Sequence, residues 1–225
     1  MDSTAIKRPA ALSEGAADAI RKAIIQGEFG LGEALPEAQL TRRLGISKTP
    51  IREGLLLLFK EGLVTSFPQR GFFVFTLTRE SVTKLCDFRH VMESVALDMA
   101  LRQNRERLIA DLEGVCAEMQ TAHDNGDFER YLELDTAFHE AFFDRAENPY
   151  VKASYQMAAS KVATIRTHLS RGHLRTDLSL SEHVDILRAL KAEEDRKARA
   201  VLKKQIFRGE QVYEELVTEP HRKPD

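Results

Sequence analysis

The chain has 225 residues, 43% of them hydrophobic, and a formal net charge of −2. That length suits two modest cores better than one large one, and the near-neutral balance excludes a general polycation. No run reaches the roughly 18 apolar residues of a membrane span, and the charged start (Asp2, Lys7, Arg8) lacks the apolar core of a signal peptide, so the sequence reads as soluble and cytoplasmic. Residues 1–10 read as a flexible arm. A first helix is expected from about Ser13 to Gln26, where Ala16, Ala19, Ile20, Ala23 and Ile24 form one apolar stripe. Gly27 ends it, and Gly30 and Gly32 continue the turn. Pro36 opens a short helix with Leu40 and Leu44 inward, stopped at Gly45. Ser47 is placed to cap the next helix, with Pro50 in its first turn and Gly62 at its end. Val64 to Phe67 and Phe72 to Phe75 read as two strands joined by the turn Pro68-Gln69-Arg70-Gly71.

Helix, helix, tight turn, helix and hairpin within 76 residues is the layout of a winged helix-turn-helix. After Thr78 the pattern becomes purely helical, over about 79–102, 105–125, 127–145, 149–170, 179–192 and 194–217. The breaks fall at Asn104, Asn125-Gly126, Asn148-Pro149, Arg171-Gly172 and Glu193-Glu194, and helices of this length and spacing make an antiparallel bundle. The expected division is therefore an arm (1–10), a DNA-binding domain (11–78), a helical domain (79–218) and a tail (219–225). Charge follows it: residues 1–76 carry 10 Lys+Arg against 8 Asp+Glu, the rest 23 against 27. Cys86 and Cys116 show no metal-ligand or redox spacing and read as buried thiols.

The segment Leu44-Gly45-Ile46-Ser47-Lys48-Thr49-Pro50-Ile51-Arg52-Glu53 is the most informative. Gly45 permits a left-handed turn residue between two packed helices. Ser47, Lys48, Thr49 and Arg52 then project from the start of the second helix, the end that enters the major groove in this motif. Hydroxyls suit phosphate, and cations suit phosphate or guanine.

With Gly27, Gly32, Leu35-Pro36, Leu40, Leu55, Leu58, Glu61-Gly62-Leu63-Val64 and Arg70-Gly71 at intact spacing, residues 12–78 resemble the GntR family of bacterial regulators. The resemblance implies a DNA-binding set of Arg43, Ser47, Lys48, Thr49, Pro50, Arg52, Arg70 and Gly71, the last two at a wing tip reaching the minor groove. Lys48 stands where that family usually has Arg, and a point charge cannot fork onto one guanine. Gly54 replaces the usual Ala, at roughly 0.5–1 kcal/mol of helix propensity. Leu56 and Leu57 fall where the family is usually polar.

In the helical region, Asp135 and His139 lie at i, i+4, which puts a carboxylate and an imidazole on one helix face. By itself such a pair is more often structural than a metal site. The region resembles the FadR-type carboxy-terminal domain, FCD, whose metal is held by an Asp-x3-His pair and two later histidines. The resemblance implies that Asp135, His139 and His183 hold a divalent metal; the fourth position falls on Gln205, a poor ligand beside imidazole. Zinc, nickel and manganese are not distinguished. Arg89, in an Arg-x3-Glu that ends at Glu93, faces the cavity in the family and suits a carboxylate effector; Arg166 is a second candidate anion contact. The remaining histidines, His90, His123, His168, His173 and His221, read as surface or capping residues.

The sequence thus describes a mainly α protein, a winged helix-turn-helix followed by an FCD-like bundle. The expectation is a homodimeric, ligand-responsive regulator, a repressor of a catabolic operon, that binds palindromic operator DNA and answers to a small carboxylic acid. The alternatives are a DNA-binding dimer without an effector and a metal-dependent enzyme. No catalytic residues are assigned.

Overall fold

In the computed structural model, which describes residues 9–169 and 173–218, the chain divides into two compact units that meet at Leu77 and Thr78. Most of the expected arm (1–8), the break at Arg171-Gly172, the tail (219–225) and His221 lie outside the described residues.

The amino-terminal unit contains α1 (Pro9–Ile25), α2 (Glu37–Leu44), α3 (Lys48–Lys60), β1 (Val64–Phe67) and β2 (Gly71–Val74). The first helix starts four residues before the expected Ser13, and the second strand sits one residue earlier than expected. Ile20, Ile24, Leu40, Ile51, Leu55 and Leu58 are all buried, so the apolar stripes of α1, α2 and α3 close on one core. Gly45, at φ 67°, ends α2 in the left-handed region, where a glycine has no Cβ to clash. Arg21 on α1 grips Glu61 with two hydrogen bonds, Nε to Oε2 at 3.0 Å and Nη2 to Oε1 at 2.6 Å, tying α1 to the end of α3.

Gly54 has a larger role than its propensity cost suggested. A Cβ there would lie 2.9 Å from both the Ala17 nitrogen and the Ser13 oxygen, so the glycine is what lets the backbones of α1 and α3 touch. The wing is an antiparallel pair with Val64 opposite Val74 and Phe67 opposite Gly71, extended by a bridge between Ala34 and Phe73. Leu56 and Phe59 remain 44% and 47% exposed on α3.

The second unit comprises α4 (Arg79–Asp124), α5 (Phe128–Arg145), α6 (Pro149–Leu169), α7 (His173–Lys191) and α8 (Asp195–Thr218). Thr78 and Ser81 cap α4 reciprocally. The break expected at Asn104 is a kink: its backbone leaves the helical region (φ −160°, ψ 68°), and its side chain accepts from the Arg107 nitrogen at 3.2 Å to restart the helix. Arg105 then reaches Asp195 at 3.0 and 2.7 Å, pinning the kink to the start of α8. Helix α7 begins at His173, six residues before the expected 179. Its first turn lacks the apolar stripe that signalled the rest. Leu97, Leu108, Leu112, Phe138, Phe142 and Leu202 form the core. Both cysteines are buried free thiols, and no helix among the described residues is long and apolar enough to cross a membrane.

Candidate functional site

On the amino-terminal unit, Ser47, Lys48, Thr49 and Arg52 are exposed together at the first turns of α3. Ser47 occupies the N-cap position in extended backbone, but its hydroxyl makes no capping hydrogen bond. The expected cap is therefore absent, and the hydroxyl joins a surface already carrying unsatisfied helix N–H groups. Pro50 needs correction as a DNA contact: it is buried, and its ring packs inward while fixing the backbone of the first turn. At the wing tip, Gln69 (φ 61°) and Gly71 (φ 88°) turn the chain in left-handed backbone. Arg70 lies over the Phe67 and Phe73 rings, 5.6 and 5.4 Å from their centres, which holds its guanidinium outward. Arg43 is paired with Glu28 and sits 5.7 Å from the Phe29 ring. Lys48 Nζ lies 3.1 Å from Glu37 Oε2.

In the second unit, Asp135 and His139 on α5 meet His183 on α7, and one ligand atom from each lies within 4.8 Å of the others. All three are buried, His183 completely. The Nε2 atoms of the two histidines are 3.4 Å apart, and Asp135 Oδ1 is 3.5 Å from His183 Nε2. Gln205 on α8, also buried, places its amide nitrogen 3.2 Å from His183 Nε2 while its oxygen has no hydrogen-bond partner.

The surroundings of His139 fix its tautomer. Glu93 Oε2 lies 2.8 Å from His139 Nδ1, while His183 Nε2 lies within 3.5 Å of His139, Asp135 and Gln205. With the proton on His139 Nδ1, its Nε2 lone pair points to the centre, the arrangement of a metal-bound histidine with a hydrogen-bonded outer shell. Burial holds both imidazoles neutral: it lowers His139, and lowers His183 to about 3. Burial alone would raise the Glu93 and Asp135 carboxyls. Arg89 and His139 outweigh it at Glu93, Arg166 and His183 outweigh it at Asp135, and both acids are held below the usual range. Arg89 Nε bonds Glu93 Oε1 at 2.8 Å.

A tetrahedral ion with bonds of about 2.0–2.1 Å sets two nitrogen ligands about 3.3–3.4 Å apart. The observed separation of the Nε2 atoms fits this, so the residues present suit a divalent metal. A small cavity of about 60 Å³ opens beside them, lined by Arg89, Asp135, His139, Arg166, Gln205 and Arg208 among others. Arg166 is largely buried, its Nε 3.2 Å from Asp135 Oδ2 and its Nη2 donating to Thr136 Oγ1 at 3.1 Å. Sequence reasoning missed Arg208, which pairs with Glu182 at the cavity wall, and Ser179, whose hydroxyl donates to Asp135 Oδ1 at 3.5 Å. Spacing could have found them: Arg208 lies three residues after Gln205, and Ser179 four before His183.

A winged helix-turn-helix joined to a helical domain with a buried Asp, His and Arg cavity is the build of a two-domain transcription regulator. Residues 12–74 match the bacterial regulatory proteins of the gntR family, and residues 84–206 match the FCD domain. The chain belongs to the GntR family of transcription regulators, in the branch that carries an FCD domain. It is 29% identical over 173 residues to the HTH-type transcriptional regulator YdhC of Bacillus subtilis (strain 168), covering 76% of this chain and 77% of that one. It is 24% identical over 180 residues to the gluconate operon transcriptional repressor of Bacillus licheniformis, covering 78% and 74%. Among solved structures, Escherichia coli McbR/YncC shares the fold with a TM-score of 0.77 at 21% identity, over 91% of this chain and 98% of that one.

Proposed function

We propose that this regulator is a homodimeric repressor of a catabolic operon, released from a palindromic operator when a small carboxylic acid enters the cavity of the FCD domain. In this reading Ser47, Lys48, Thr49 and Arg52 meet the major groove, Arg43 supports the backbone, and Arg70 and Gly71 reach the minor groove. Asp135, His139 and His183 hold a divalent metal, with Gln205 at the fourth position. When bound, the metal offers an open coordination site to a carboxylate oxygen. Arg89 and Arg166 orient the rest of the anion, and Arg208 closes the wall.

The observation that carries the reading is the convergence of two buried Nε2 atoms, 3.4 Å apart, and the Asp135 carboxylate beside an arginine-lined cavity. A buried cluster of two imidazoles and a carboxylate, with the Gln205 oxygen lacking a hydrogen-bond partner, is costly unless a ligand uses it, which favours a sensor over a bundle that merely dimerises. The cavity has room for roughly four to six waters, which favours a compact acid over a long acyl chain. The gluconate repressor among the relatives supports a catabolic setting. Exposed Val91, Val95, Tyr150 and Met157 leave the second unit apolar surface for a second copy. Linkage is reciprocal, so an acid that weakens DNA binding must bind the DNA complex less tightly.

The test has two arms. Arg52→Ala should abolish selective binding to a duplex enriched by the wild-type protein while leaving the oligomer folded; a normal footprint from that variant refutes the DNA assignment. The double variant His139→Ala, His183→Ala should lose bound metal and the thermal shift given by carboxylates. Unchanged metal content and unchanged shifts remove the sensing assignment.

A further inference from the structure

The cations on the DNA face of the amino-terminal unit fall into two groups. Arg52 has no ion-pair partner among the described residues, and Arg70 is held by aromatic rings. Lys48 and Arg43 each have a carboxylate. The Lys48 pair is the better built. Glu37 and Lys48 are the first residues of α2 and α3, and their side chains meet at 3.1 Å. The Lys48 side chain is 71% exposed, and that of Glu37 only 20%. The acid is thus packed against the unit while the cation reaches outward.

We propose that Glu37 is a specificity-determining residue of the DNA face: by pairing with Lys48 it discounts binding that rests on phosphates alone. The proposal rests on the DNA-binding reading above. Any duplex offers Lys48 a phosphate, in no fixed geometry. Taking it means leaving Glu37 and bringing a carboxylate close to the phosphate chain. A random duplex returns one diffuse contact for that exchange, so the pair stays closed and one cation is withheld. An operator that seats α3 in its groove returns a fixed contact to Lys48, at a base edge or an aligned phosphate, and opens the pair. The acid therefore lowers random binding more than operator binding, at the position where the chain carries a flexible point charge in place of a guanidinium fork.

The experiment titrates the full-length protein, by fluorescence anisotropy over a range of KCl, against a random-sequence duplex and against the duplex enriched by the wild-type protein from a randomised library. Glu37→Gln should raise affinity for the random duplex roughly two- to five-fold, the scale of an exposed ion pair. It should also steepen the slope of log K against log[KCl] there by up to about 0.9, one added phosphate contact, and shrink the ratio of operator to random affinity. In a Lys48→Ala background all three effects should vanish. An unchanged slope and ratio overturn the proposal, as does an effect that persists without Lys48. If the wild-type protein enriches no sequence, the DNA-binding reading fails and this proposal with it; enrichment with an inert Glu37 removes this proposal alone.

Discussion

His139 and His183 lie on different helices, 44 residues apart, yet their Nε2 atoms lie 3.4 Å from each other. Glu93 takes the His139 proton outward, so the His139 Nε2 lone pair faces inward beside His183 Nε2 and the Asp135 carboxylate. The protein holds this arrangement by burial, which keeps both imidazoles neutral and able to ligate.

Gln205→His should tighten the site. The present amide donates to His183 Nε2, and only its neutral oxygen could turn toward a cation, whereas an imidazole nitrogen is a far better donor. Competition against a chromogenic chelator should show zinc affinity about tenfold higher or more. Equal affinities in the two proteins would place Gln205 outside the coordination sphere.

Glu93→Gln should weaken metal binding by about 10- to 100-fold, because the carboxylate orients His139 and raises its basicity without touching the ion. It also leaves the buried Arg89 without its anion, so the melting temperature of the metal-free protein should fall. Isothermal titration with zinc, read beside thermal unfolding, separates the two effects. Wild-type affinity in a destabilised variant would make Glu93 purely structural.

Gly54→Ala should destabilise the amino-terminal unit even though alanine is the better helix former by about 1 kcal/mol. The added Cβ meets backbone atoms of α1 at 2.9 Å, which no side-chain rotation relieves. A net loss of about 1–3 kcal/mol, as in other overpacked cores, is expected in denaturant unfolding. A gain in stability would mean that the α1–α3 contact yields freely.

The His123–Asp177 pair joins the end of α4 to the start of α7 at 2.6 Å. The hydrogen bond to Asp177 raises the His123 pKa above 6.5. A raised folded-state value means that the pair contributes fully below pH 6.5 and fades as pH rises through the folded value. Asp177→Asn should therefore lower the melting temperature at pH 6 and leave it unchanged at pH 9. A difference of equal size at both values would contradict this assignment.

Much of the DNA-binding unit was legible because its signals are local. Gly45, Pro36, the stripe from Ala16 to Ile24 and the turn at Pro68 each act on their immediate neighbours. The Asp135 and His139 pair was legible for the same reason, since four residues is one helical turn. Its partners in the fold were not visible in that way. Gln205 and Glu93 take their meaning from packing, as do the uncapped hydroxyl of Ser47 and the inward ring of Pro50.

The sequence by itself determined that these segments are helical and which side chains share a face, because these depend on the rise and period of one chain segment. Tertiary structure alone decided that α4, α5, α7 and α8 turn Glu93, His139, His183 and Gln205 toward one point, and that Gly54 lies under the backbone of α1. Which faces meet is set by the complementary shapes of whole helices, a property that no single segment carries.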